Sequence, residues 1–368
     1  MKSTFFTQLG IADLEKIHSQ VLSWVFSSDC KGFNSGLSAQ VQLLNKLFNT
    51  GANEILNSST EVDFIDIFIE TDNSIILIEN KIKSSQHSNQ LEKYIKLLAD
   101  KKPNKNICCY FLTLFEEKAS TDGWTNINYI NVLAILQGFE DEISKEFHGL
   151  ILKDYIQTIE NLTSVIVHFI SHPEKYEHVF MEGSNTKSQK RKLEPLSNSN
   201  QDFIRKHQLE TALQKYYFNK VRSYLDKPEE YYIVETRGNG ILGRHTHREI
   251  KINRNKFHLG MDFQNGTFKI MLIAVEYNSS SPNQIPEYVH TAFANMLGIA
   301  KEKGYIRHNK PRTRAQMSIT NPRFKKEEWW KLNPKDFANV FMEELVIAIY
   351  LIENNLLDIQ THTFIKMD

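Results

Sequence analysis

No arginine occurs in the first 190 residues; all eleven lie between positions 191 and 323. The overall charge of zero hides this division. Residues 1–182 carry 15 Lys+Arg against 24 Asp+Glu (net −9), and residues 183–368 carry 29 against 20 (net +9). Arginine presents a planar fork of donors that matches phosphate oxygens. Any grip on phosphate is therefore expected from the second half, although a solvated basic surface accounts for the charge alone equally well.

Cysteine is scarce as well. Cys30, Cys108 and Cys109 make an odd number, with no Cys-x-x-Cys pair. That excludes a disulfide framework and a cysteine zinc cluster, and it leaves Cys108 and Cys109 as core thiols of an apolar strand. No run reaches the ~20 apolar residues of a membrane span, and positions 1–6 open no long apolar stretch. A soluble cytoplasmic protein is expected. Internal repeats of fixed period are absent. Hydrophobic content of 41% and charged content of 24% are ordinary for a globular chain, and 368 residues suffice for two cores.

Against this background, acids stand inside apolar strands. Phe64-Ile65-Asp66-Ile67-Phe68 embeds an aspartate, and Glu79-Asn80-Lys81 closes the run Ile75-Ile76-Leu77-Ile78. Charges are costly to bury and are retained where they bind metal or do chemistry. Side chains alternate along a strand, so Asp66 shares a face with Phe64, Phe68 and Glu70, while Glu79 and Lys81 share one with Ile75 and Leu77. Thr71-Asp72-Asn73-Ser74 is turn-forming, which predicts a hairpin that brings Asp66 beside Glu79. Two carboxylates offer hard oxygen ligands for Mg²⁺ or Mn²⁺, and Lys81 adds a positive charge to hold or polarise a water. A plain salt-bridged strand end is the competing reading of the bare motif.

The arrangement resembles the PD-(D/E)XK nuclease superfamily. Gln90-Leu91-Glu92-Lys93-Tyr94 is similar to the Gln-x-x-x-Tyr signature of its RecB-like branch, with both residues on one helix face. Glu15-Lys16-Ile17-His18-Ser19 resembles the Glu-x-x-His-Ser entry helix of a bacterial subgroup. Ile65 stands where the motif's proline is nominal. The resemblance spans roughly residues 10–160. It implies a metal-dependent DNA endonuclease, with a role in bacterial defence as one setting. It also implies Asp66, Glu79, the Asn80 carbonyl and Glu15 as metal ligands, with Asp13 the neighbouring alternative to Glu15. Lys81 would then be the water-positioning cation, and Gln90 and Tyr94 would orient the site.

The expected fold class is α/β, a restriction-endonuclease-like mixed sheet flanked by helices, joined to a second α+β domain. The first half reads as helices at 11–27, 38–49, 86–100, 131–142 and 148–170, with strands at 62–70, 75–82, 106–113 and 127–130. A polar linker is expected over 183–200. It separates a nuclease-like domain (1–182) from a basic one (201–368). The latter is read as helix 202–225, strands near 231–236, 247–253, 257–263 and 267–276, and helices at 286–303 and 334–355.

In that second half, Arg244, Arg248, Lys251, Arg254, Lys256, Arg312 and Arg314 are the candidates for nucleic-acid backbone contacts. Trp329-Trp330 is read as core before it is read as a base-stacking pair. His245 and His247 are read as surface residues on one strand face, short of a third metal ligand. The expected partner is nucleic acid, DNA favoured, with no membrane; a homo-oligomer is left open. Two other classes stay open: a non-catalytic binding module on the same fold, and a scaffold whose opposite charges hold its halves or its copies together.

Overall fold

The computed structural model describes residues 1–83, 105–182, 199–232, 241–245, 247–252, 255–264, 267–274, 287–302, 304, 306–309, 316–320, 329–353 and 363–365. The chain divides into two compact units, one of Met1–Val167 with Leu196–Ala212, the other of His168–Pro195 with Leu213–Asp368. Residues 196–212 thus group with the first unit.

The first unit is built on a five-stranded mixed sheet with strands in the order β1 to β5: Ile55–Val62, Ile65–Thr71, Ser74–Lys81, Asn106–Thr113 and Trp124–Asn128. The first three are antiparallel neighbours, and β3–β4 and β4–β5 are parallel. All eight residues of central strand β3 are buried. Its Ile-Ile-Leu-Ile run fits a strand covered on both faces. Phe68, Ile75, Leu77, Cys109, Phe111 and Trp124 pack into one apolar cluster. Helix α1 (Glu15–Val25) lies against β1, β2 and β3, and α2 (Leu37–Phe48) packs on α3 (Tyr129–Gln137). Helix α4 (Phe147–Ser171) follows.

Two local readings of the sequence need correction here. The strand expected from 62 does not run through: Asp63 and Phe64 form a two-residue turn between the paired Val62 and Ile65. Both turn residues have positive φ, 52° and 70°, as a type I′ turn demands. The aromatic at 64 had disguised the turn as strand. Strand β1 was not foreseen either, because Leu56-Asn57-Ser58-Ser59-Thr60-Glu61 is too polar to show a buried face. The expected helix over 86–100 lies outside the described residues.

The second unit carries an eight-stranded antiparallel sheet. Its strands are β6 (Tyr231–Tyr232), β7 (Ile241–His245), β8 (His247–Ile252), β9 (Asn255–Gln264), β10 (Thr267–Ala274), β11 (Ile306–Asn309), β12 (Gln316–Thr320) and β13 (Thr363–Ile365). The main path runs β11-β12-β10-β9-β7-β6, and β8 pairs with both β9 and β13. Phe263, Phe268, Trp329 and Phe337 meet at ring-centroid distances of 4.8 to 5.9 Å in its core. Trp329 and Trp330 are buried, which removes them as base-stacking candidates. His245 ends β7 (Ile241–His245) and His247 opens β8 (His247–Ile252). All three cysteines are free thiols.

Candidate active site

The charged residues read from the sequence meet at the carboxy-terminal end of β3. The β2–β3 ladder pairs Ile67 with Ile78, and continuing that register places Asp66 opposite Glu79. The Asp66 carboxylate takes over where the ladder stops: its Oδ2 accepts the backbone N–H of Asn80 at 2.8 Å. From the other side, Glu15 at the first position of α1 accepts the backbone N–H of Ile82 through Oε2 at 3.0 Å. Each carboxylate thus both terminates the strand and faces the site.

The Lys81 ammonium is the point of convergence. Its Nζ lies 2.8 Å from Glu79 Oε1, 3.6 Å from Asp66 Oδ2 and 3.8 Å from Glu15 Oε1. It also donates to the Asn80 carbonyl at 3.1 Å. These four oxygen donors are the set expected from the sequence to hold a cation. Asp13 is not one of them: it pairs with Lys83 and with His207 Nδ1, the latter at 2.7 Å. Its burial is outweighed by these two partners, and its carboxyl sits below the ordinary range.

Burial sets the electrostatics. Glu79 is 1% exposed. Neither of its oxygens receives a hydrogen bond of sound geometry, although Lys81 makes an ion-pair contact with one. Burial, reinforced by the Asp66 charge, pushes its carboxyl up to about 7. Burial raises Asp66 as well, against the pull of Lys81. Burial by itself would lower Lys81, but the carboxylates of Glu79 and Asp66 prevail and hold it above its ordinary value.

The donor chemistry fits a divalent cation. Three carboxyl groups face one ammonium, an excess of two negative charges once all three are ionised, and the buried Glu79 oxygens lack the hydrogen bonds such groups normally make. The ammonium stands among hard oxygens of the kind Mg²⁺ and Mn²⁺ select. Among the described residues, no three His, Cys, Asp or Glu side chains are arranged to hold an ion as they stand, so a metal here needs Lys81 to move aside.

A second layer escaped the sequence reading. The Asn80 side chain is fully buried and fully used. Its Nδ2 donates to the Glu15 carbonyl and to Ser19 Oγ, each at 3.1 Å, and its Oδ1 accepts from the Tyr129 hydroxyl at 2.8 Å. It ties α1 and α3 to the strand that carries Glu79 and Lys81. Beside it, His18 Nε2 contacts the Ala12 carbonyl at 2.8 Å, so this nitrogen bears the proton. Nδ1 is left to accept from the Tyr155 hydroxyl at 3.1 Å. Burial pushes His18 down to about 4, which keeps the ring neutral. The only sequence signal was the His18-Ser19 pair in the α1 motif.

Gln90 and Tyr94 lie outside the described residues, as do Arg254, Arg312 and Arg314. Arg244 lies on β7 and Arg248 on β8. Lys251 and Lys256 are cross-strand partners on β8 and β9, both half-buried, with Glu249 3.8 Å from Lys256.

Comparison with known proteins returned one family. A model of the PD-(D/E)XK nuclease superfamily matches residues 3–184. No curated protein and no solved structure matches the chain.

Proposed function

Because residues 3–184 belong to the PD-(D/E)XK nuclease superfamily, we propose that this protein is a divalent-metal-dependent endonuclease that hydrolyses phosphodiester bonds in DNA. The observation that carries the reading is the meeting of Glu79, Asp66, Glu15 and the Asn80 carbonyl around one cation, at 2.8 to 3.8 Å. Bound there, Mg²⁺ or Mn²⁺ would supply a Lewis acid for the phosphate and a more acidic water. Asp66 and Glu79 are the residues to hold the ion, with Glu15 and the Asn80 carbonyl completing the oxygen set. Displaced from the oxygens, the Lys81 ammonium is free to steady the negative charge that grows on the phosphate. The neutral His18 and the Asn80 side chain do no chemistry; they fix α1 against β3 so that Glu15 reaches the site. Gln90 and Tyr94 are proposed to border it.

In the second unit, Arg244, Arg248, Lys251, Arg254, Lys256, Arg312 and Arg314 are proposed to contact phosphates. The excess of nine positive charges over residues 183–368 supports a sequence-independent grip. Action on foreign DNA is the setting that the family resemblance suggests. No helix among the described residues is long and apolar enough to cross a membrane.

One observation favours a second reading, a nucleic-acid-binding module with an inert site: the 2.8 Å Lys81–Glu79 ion pair satisfies the buried charge without a metal. Cleavage of a panel of DNA and RNA substrates with and without Mg²⁺ separates the two.

A further inference from the structure

The strained residues of the first unit concentrate at one place. Six non-glycine residues have positive φ among the described residues, and three of them, Glu61 (58°), Asp63 (52°) and Phe64 (70°), fall in the four positions before Ile65. They form the tip of the β1–β2 hairpin, next to Asp66. A positive φ is uncommon outside glycine and is a genuine outlier for a bulky side chain. Type I′ turns favour Asn-Gly at these positions, not Asp-Phe. Such strain is held where something else requires the residue.

The phenylalanine does not earn its place by packing into the core, because Phe64 is 87% exposed, the most of any large apolar side chain described. Lys16, the neighbour of Glu15 on α1, pairs with Glu61 at 3.0 Å, both side chains largely exposed. The helix that sends Glu15 to the site also packs on β1 and β2, the two strands of the hairpin that presents Phe64. Only Ile65 separates Phe64 from Asp66, a span of at most ~7 Å between α-carbons, comparable to the distance from a backbone phosphate to a nearby base. Asp63 and the Lys16–Glu61 pair leave the tip no net positive charge to offer a phosphate. What an aromatic ring with acidic neighbours can offer a nucleic acid is a stacking face.

We propose that Phe64 stacks on a nucleobase of the strand whose phosphate lies at the Asp66–Glu79–Lys81 site, and so sets the position of that strand for cleavage. This rests on the nuclease reading above. Phe64 is a positioning residue here: it touches the substrate base, not the reacting atoms.

The test uses the full-length protein in EDTA and single-stranded deoxyoligonucleotides that carry 2-aminopurine at successive positions. Phe64→Asn is the probing variant, since asparagine tolerates positive φ and should leave the melting temperature equal or higher. Phe64→Trp keeps a stacking face. Wild-type protein and Phe64→Trp should quench 2-aminopurine at one or two positions. Phe64→Asn should lose that quench and bind about 5–100-fold more weakly, the loss of one base–aromatic stack. With Mg²⁺, Phe64→Asn should also shift or blur the cut positions. Unchanged quench and cut positions in Phe64→Asn, while wild type cleaves, overturn the stacking role and leave the nuclease reading standing. Quench that depends on Phe64 in a protein that never cleaves supports the stacking role and removes the nuclease reading. Oligomer loss in Phe64→Asn with unchanged quench assigns the ring to a protein contact and overturns the proposal.

Discussion

Asn80 donates its backbone N–H to the carboxylate of Asp66 at 2.8 Å, while its own side chain accepts the hydroxyl of Tyr129 at the same distance. One residue thus connects the acid of β2, the helix α3 and the strand that carries Glu79 and Lys81. The predictions below follow from that linkage and from the charges around it.

Replacing Tyr129 by Phe removes the donor to Asn80 Oδ1 and leaves a buried amide oxygen unpaired. The expected cost is about 1–3 kcal/mol of folding stability, read by denaturant titration. Cleavage per folded molecule should fall far less than in Asp66→Asn, because Tyr129 acts only through Asn80.

Lys81→Met leaves the three carboxylates of Glu15, Asp66 and Glu79 without their cation. Removing one partner of a buried pair typically costs about 3–5 kcal/mol. Added Mg²⁺ should recover much of that loss in the variant, and its effect on the melting temperature should exceed the effect on wild type. A variant whose melting temperature ignores Mg²⁺ counts against a metal among these oxygens.

The raised carboxyl of Glu79 gives a pH signature in metal-free protein. The folded state keeps a proton up to about pH 7 that the unfolded chain loses near its ordinary value of 4.5. The folded state therefore binds more protons in that window, and stability falls as pH rises through it. Glu79→Gln should flatten this slope between pH 4.5 and 7. Mg²⁺ binding should strengthen over the same range, with proton release detectable by calorimetry in buffers of different ionisation enthalpy.

For the second unit, Lys251→Ala and Lys256→Ala in the whole protein should each weaken nucleic-acid binding at many sequences alike. Each should lower the slope of log affinity against log salt by roughly 1. An unaltered salt slope assigns this basic pair to a solvated surface.

How much of this was legible follows from cost. Asp66, Glu79 and Lys81 showed themselves because a charge inside an apolar strand is expensive, and that rule holds wherever the strand ends up. Glu15 was visible only through a motif resemblance; nothing in α1 itself distinguishes it from Asp13, which turns instead to Lys83 and His207, 194 residues away in sequence. Such long-range pairings leave no local trace. The Asp63-Phe64 turn was hidden because an aromatic occupies a position that glycine or asparagine usually announces. The Asn80–Tyr129 and His18–Tyr155 contacts were hidden because buried tyrosines look like core until their hydroxyl partners are seen. The mixed sheet was foreseen from its apolar runs, while polar β1 was not.

The most direct test of the central claim is cleavage of a mixed panel of DNA and RNA by purified protein, with Mg²⁺ or with EDTA, beside Glu79→Gln and Asp66→Asn variants shown to be folded. The account predicts phosphodiester cleavage of DNA by wild type in Mg²⁺ only, and a loss of at least about 100-fold in each variant, as expected when a group that stabilises the transition state is removed. Cleavage that persists undiminished in both folded variants, or a wild-type protein that binds nucleic acid but never cuts it with any divalent metal, would contradict it.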